Sequence, residues 1–142
     1  MNSYSETDIQ RFVEKAIELH YLKPNCNCAQ SVACALSDAM GIDAHTSFCA
    51  MEGFGAGMGN YSQTCGALTG AVYLLSMHNS VGFDTRSSKA ATYELVKALV
   101  EDFEQEFGAT SCAALRKTDA EDPKKICDAY IAYAVKQAAR AL

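Results

Sequence analysis

The sequence predicts an all-α protein: a compact, single-domain bundle of about five main helices spanning residues 1–142. Three observations point there. Apolar residues recur at three- and four-residue spacing through most of the chain. Capping residues precede most of these runs, and Gly or Pro follows most of them. No segment shows the two-residue alternation of a half-buried strand, and no internal repeat or low-complexity tract is present.

The elements follow in order. Ile9, Phe12, Val13, Ala16, Ile17 and His20 share one face of a first helix, with Ser5 or Thr7 as N-cap and Pro24 as its stop. A second helix starts near Cys28 behind Asn27, runs to Met40 and is stopped by Gly41. A short helix covers Thr46 to Glu52, and a glycine-rich loop follows it. The small and apolar run from about Thr64 to His78 reads as a buried helix. After the turn NSVGFDTRSS, a long helix spans about Ser87 to Phe107, with Tyr93, Val96, Leu99, Val100, Phe103 and Phe107 facing inward and Gly108 closing it. Its EDFEQEF segment supplies a solvated acidic face. TSCAALRK is one or two helical turns, and TDAEDPKK is a polar loop. Asp122 and Pro123 then serve as N-cap and first residue of a last helix that reaches the C-terminus.

Charge narrows the function. Twelve Lys and Arg stand against 17 Asp and Glu, for a net charge of -5. With no basic patch, nucleic acid is not an expected partner. The longest apolar stretch, GALTGAVYLLSM, falls short of the ~20 residues of a membrane span. The N-terminus MNSYSETDIQ lacks the basic and apolar regions of a signal peptide, so a cytoplasmic location is expected.

Six of the nine glycines fall between residues 53 and 71. Gly53, Gly55, Gly57 and Gly59 do not form a dinucleotide fingerprint, because position 58 is Met and no strand precedes them. No Lys-Ser/Thr follows as in a P-loop. The expectation is a loop that needs positive φ at several positions. Gly66 and Gly70, four apart, lie on one helix face with no side chain, which argues for close approach of a neighbouring helix.

Seven cysteines are many for 142 residues. In a reducing compartment such a set points to metal binding or redox chemistry more than to structural disulfides. Cys28, Cys65 and Cys112 follow the capping residues Asn27, Thr64 and Ser111, and Cys127 lies in the second turn after Asp122-Pro123. Four thiols are therefore expected near helix N-termini. The helix dipole there is worth only ~0.3–1 kcal/mol, against burial effects of up to ~3–5 pKa units, so the dipole alone does not activate a buried cysteine. Arg116, Lys124 and Lys125 are nearby cations. The same four cysteines align with apolar residues, which equally suits small core hydrophobes. No C-x-x-C occurs, so zinc-knuckle and thioredoxin-type pairs are poorly supported, whereas four single cysteines on four elements suit an iron–sulfur cluster or another metal centre. Cys26 stands as an auxiliary or resolving thiol. Cys34, about 240° round the helix from Cys28, reads as packing. His45 with Cys49 reads as a helix-end His beside a core Cys. No Ser-His-Asp arrangement emerges.

NCAQSV (27–32), CGALTG (65–70), TSC (110–112) and the later Cys127 together resemble the redox-active protein family named for a C, CGAxxG, C, C signature, the C_GCAxxG_C_C family. The resemblance covers nearly the whole chain. It maps the family's four cysteines to Cys28, Cys65, Cys112 and Cys127 and its small positions to Gly66, Ala67 and Gly70. It implies a helical protein with a redox role. Related segments beside haem in split-Soret cytochromes imply an iron–sulfur function, although no C-x-x-C-H haem attachment site is present here.

The leading expectation is an electron-transfer protein whose Cys28, Cys65, Cys112 and Cys127 bind an iron–sulfur or other metal centre and serve an unidentified redox partner protein. Two rivals stay open: a metal-free thiol–disulfide switch using pairs such as Cys28–Cys65 or Cys112–Cys127, and a non-enzymatic binding or structural bundle with cysteines as core filler.

Overall fold

A computed structural model describes residues 4–22, 26–83, 87–116 and 123–142. Among these residues the chain forms seven α-helices and no strand: α1 Glu6–Tyr21, α2 Cys28–Ser37, α3 Ala44–Met51, α4 Gly66–Asn79, α5 Lys89–Phe107, α6 Cys112–Arg116 and α7 Pro123–Ala141. The five long helices are those the periodicity predicts, and α3 and α6 are the two short helical segments expected around Thr46–Glu52 and in TSCAALRK. No helix among the described residues is long and apolar enough to cross a membrane. Pro24, Asp122 and the Lys124 side chain, to which the sequence assigned roles, lie outside the described residues.

Local chemistry accounts for the boundaries. Ser5 caps α1 through a reciprocal box in which its Oγ accepts from the Asp8 N–H at 3.1 Å and Asp8 accepts from the Ser5 N–H. The regular part of α2 ends at Ser37, short of Met40. The chain then tightens into a Schellman-type close, with Gly41 at φ 72°, the Ile42 N–H on the Ser37 carbonyl at 2.8 Å and the Gly41 N–H on the Asp38 carbonyl at 3.1 Å. Helix α3 begins two residues before the expected Thr46, because Asp43 caps it by accepting from the Thr46 N–H at 3.0 Å. Gly108 closes α5 at φ 80°.

Helix α2 is the axis of the bundle. Every residue from Ala29 to Ser37 is buried. It packs on α4, with α1 and α7 alongside and α3 at its flank. The small residues of α4 set this spacing. A Cβ at Gly70 would stand 2.7 Å from the Ala29 carbonyl oxygen and 3.0 Å from the Val32 Cβ, so only glycine permits the backbones to come so near. The main core joins Ile9, Val13 and Ala16 of α1, Val32 and Leu36 of α2, Leu68, Leu74 and Leu75 of α4, Leu99 and Phe103 of α5, and Ile131, Ala134, Val135 and Ala138 of α7. Phe107, Tyr130 and Tyr133 surround Phe103 with ring centroids 4.9 to 6.1 Å away.

Two expectations are corrected. Tyr93 is 65 % exposed. Six residues separate it from Leu99, which places it about 120° off the buried face at 3.6 residues per turn. Cys49 is exposed rather than core. The short helix α3 buries Ser47 and Met51, and Cys49 points about 160° away from Met51, where its Sγ lies 3.5 Å from His45 Nε2.

Candidate metal centre: a four-thiol cavity

Local backbone structure positions each of the four cysteines. Cys28 is the first residue of α2, behind a capping box in which Asn27 Oδ1 accepts from the Gln30 N–H at 2.8 Å and Gln30 Oε1 accepts from the Asn27 N–H at 3.0 Å. The Asn27 amide also donates to the Glu52 carbonyl at 2.9 Å, tying this helix start to the short 3-10 turn Glu52–Phe54. Gly55 presses so close on Asn27 that a Cβ there would collide with its side chain.

Cys65 and Cys112 are set by a single antiparallel bridge between Thr64 and Ser111. The Cys65 N–H donates to the Thr110 carbonyl at 2.8 Å and the Cys112 N–H to the Gln63 carbonyl at 2.6 Å. Thr64 is thus a bridge residue, and Cys65 itself occupies the N-cap position of α4, contrary to the sequence expectation that Thr64 caps. Ser111 does cap α6, accepting from the Ala114 N–H at 3.2 Å. Cys127 is the fifth residue of α7, on the same side as the buried Tyr130 and Ile131.

These devices bring Cys28, Cys65, Cys112 and Cys127 to one cavity of about 50 Å³, walled also by Ala56, Gly57, Tyr61, Gly66, Leu115, Arg116 and Tyr130. Glycine makes the room. A Cβ at Gly57 would collide with the Cys112 Cβ and stand 3.2 Å from its Sγ, and one at Gly66 would stand 3.2 Å from the Cys28 Cβ. Cys26, Cys34 and Cys49 lie elsewhere. Cys26 is buried against α1, its N–H on the Leu19 carbonyl at 3.0 Å. Cys34 is buried with its Sγ 3.8 Å from the Ala44 carbonyl oxygen.

The four thiols differ electrostatically. Cys28 is pushed above the ordinary thiol range, first by its hydrogen bond with the Cys127 thiol and then by burial. The same hydrogen bond pulls Cys127 down, with help from Arg116 and against burial. Burial raises Cys65 to about 11, although the backbone N–H groups of Ala67 and Leu68 oppose it. Burial also raises Cys112, with Arg116 opposing. Desolvation is thus the largest influence at Cys65 and Cys112 and the second at Cys28.

The cavity's outer wall is unusual. Ala56, Gly57, Met58 and Gly59 form an unbroken left-handed turn with φ of 53°, 54°, 69° and 85°, and Tyr61 follows at φ 63°. Of the four alternating glycines, only Gly57 and Gly59 use positive φ. Three residues with side chains share this conformation, at about 1–2 kcal/mol each. The sequence carries no signal for that, nor for Tyr61 as a wall of the site. The Arg116 guanidinium stacks over the Tyr61 ring at 4.0 Å. Tyr130, three residues after Cys127 on α7 and hydrogen-bonded to the Leu115 carbonyl at 2.7 Å, was legible as a same-face neighbour.

The donor set suits a thiophilic metal, and the glycine-cleared space suits a group larger than one atom. Among the described residues no three His, Cys, Asp or Glu side chains are grouped as they would be round a single metal ion. The thiols border a cavity instead of closing on a point.

Comparison with curated proteins and with solved structures returned no match. The sequence model of one family, described as "Putative redox-active protein (C_GCAxxG_C_C)", matches residues 26–141. That span holds all four cavity cysteines and every helix except α1, and the chain belongs to the C_GCAxxG_C_C family of redox-active proteins.

Proposed function

We propose that the chain is a cytoplasmic electron-transfer protein that holds an iron–sulfur cluster, or another metal centre of several atoms, on Cys28, Cys65, Cys112 and Cys127 and exchanges electrons with a partner protein. The observation that carries this reading is the meeting of four thiols from four separate elements at one cavity. Iron–sulfur clusters take four separate thiolates, and a cluster spans more space than one ion. When bound, it supplies one-electron oxidation and reduction at a potential tuned by nearby charge, hydrogen bonds and exposure to water.

The chain's own residues have definite parts. The four sulfurs hold the centre as thiolates, so loading releases protons and affinity falls as pH falls. Arg116 offsets part of the negative charge that the thiolates bring. Leu115 and Tyr130 form an apolar wall that limits water. Anaerobic purification with a visible spectrum and assays of iron, zinc and acid-labile sulfide tests the reading. Colour with matched iron and sulfide, lost in Cys65→Ala, is expected. Colourless protein without iron or sulfide ends the cluster reading, and zinc alone replaces it with a single-ion site.

One observation favours a second reading, a thiol–disulfide switch. Cys28 and Cys127 are the pair of thiols whose proton affinities are tied together, one raised and the other lowered by their mutual interaction, a pairing different from Cys28–Cys65 and Cys112–Cys127. One thiol holds its proton while the other gives it up readily, an arrangement suited to attack by Cys127 on a small-molecule disulfide and resolution by Cys28. Peptide mapping of chelator-treated protein after mild oxidation would then find a Cys28–Cys127 bond.

A further inference from the structure

Four walls of the thiol cavity belong to the bundle itself: Cys28 on α2, Cys65 and Gly66 at the head of α4, Cys112 and the core residue Leu115 on α6, and Cys127 and Tyr130 on α7. The fifth, residues 56–61, does not. None of its side chains belongs to the hydrophobic core, and within Gly57–Tyr61 only Gly57 is buried. Met58 and Tyr61 are each 48 % exposed. The segment packs chiefly on α6 and on the turn at 52–54.

This wall is also held in a conformation it does not favour. Side-chain-bearing residues in left-handed torsions persist where surrounding contacts over-determine them. Within the turn the Ser62 N–H donates to the Gly57 carbonyl, and three further contacts hold it in place. The Gln63 N–H donates to the Gly57 carbonyl at 3.0 Å, the Cys112 N–H donates to the Gln63 carbonyl at 2.6 Å, and Tyr61 lies under Arg116. The first two are backbone bonds that close the turn and anchor it beside Cys112. The stack is the side-chain contact, and it spans from the turn to the helix that carries Cys112.

We propose that Ala56–Tyr61 is a cover over the thiol cavity and that Arg116, stacked on Tyr61, is the catch that keeps it shut. Stored backbone strain favours opening, and the stack opposes it. No side chain of the segment leaves the core on opening, so the segment moves without unfolding the bundle. It exposes Cys65, which is 5 % accessible in the closed form, and it widens access to Cys112. Arg116 and Tyr61 thereby control which molecules reach the sulfurs, whether a metal centre or a disulfide forms behind them. The inference is therefore independent of the proposed function.

The test is per-cysteine alkylation of the reduced, metal-free, full-length chain with N-ethylmaleimide under native conditions, read by mass spectrometry. Cys34, buried away from the cavity, reports global loosening, and the exposed Cys49 reports intrinsic reactivity. Releasing one cation–π stack predicts labelling of Cys65 and Cys112 faster by roughly two- to thirtyfold in Arg116→Gln and in Tyr61→Leu, with Cys34 and Cys49 unchanged. Arg116→Lys, which keeps a cation over the ring, should stay nearer the parent protein. Arg116 draws the Cys112 thiol toward its reactive thiolate, so its removal would by itself slow Cys112. Faster labelling therefore reports access. If Arg116→Gln also accelerates Cys34, Tyr61→Leu decides, since its side chain is half exposed. An unchanged Cys65 rate in Tyr61→Leu, or a Cys34 rate that rises in step with Cys65 in that variant, overturns the proposal.

Discussion

At the scale of single residues, the site depends on what is missing as much as on sulfur. Gly57 combines two demands: a φ of 54° and a flank so close to Cys112 that a Cβ would collide with it. Gly57→Ala meets both penalties, about 1–2 kcal/mol for the left-handed backbone and about 1–3 kcal/mol for overpacking. Urea denaturation of the metal-free protein should show a loss of roughly 2–5 kcal/mol by that sum, with Cys112 displaced toward solvent. A loss below the range of ordinary surface substitutions would mean that the turn does not sit where it is described. Gly57 had been legible only as one glycine in a permissive loop. Its contact with Cys112 joins residues 55 positions apart, and local pattern carries no record of that.

At the scale of elements, the helix starts were the most readable feature and also the most consequential. Asn27 was read as the cap of α2, and it performs that task with Gln30 as reciprocal partner. Its amide also ties α2 to the turn at residue 52, a long-range task no spacing reveals. Asn27→Ala should lower stability by about 0.5–2 kcal/mol, the range for a lost N-cap. It should also speed amide exchange at Ala29 and Gln30 beyond the rest of α2. Uniform exchange across the helix would argue against a local capping role. Thr64 shows the limit of the same reasoning. A Thr before a helical run looks like a cap, yet here Thr64 stands opposite Ser111 in a bridge whose bonds are made by its neighbours Gln63 and Cys65, and the cap position passes to Cys65. Helix α5 shows another limit. Its periodicity was sound for Leu99 and Phe103, but Tyr93 lies off the stripe and faces water.

At the scale of the whole molecule, burial of thiols makes stability pH-dependent. Cys34 and Cys65 are both raised to about 11 by burial, from an ordinary value of 9.0. Between those values the unfolded chain has lost these protons and the folded chain has kept them. The unfolded state then binds fewer protons, so stability falls as pH rises from about 9 to about 11 and is fully present below that window. Thermal midpoints of the reduced, metal-free protein should decline across this range, and less steeply in Cys34→Ala. Parallel profiles for the two proteins would show that Cys34 is not buried as described.

The helical class, the five long helices, the caps Ser5 and Asn27, the closing Gly108 and the four cysteines of the family signature were all legible in the sequence alone. Those properties arise from neighbours within one or two turns, where spacing and capping chemistry act directly. Tertiary structure decided the rest. It brought the four cysteines already singled out to one cavity, because the Thr64–Ser111 bridge and the α2–α4 approach draw their elements together. It also folded Ala56–Tyr61 into a left-handed wall and set Arg116 on Tyr61. A conformation unfavourable to its own residues is stable only through contacts made elsewhere in the chain, and only the assembled fold supplies them.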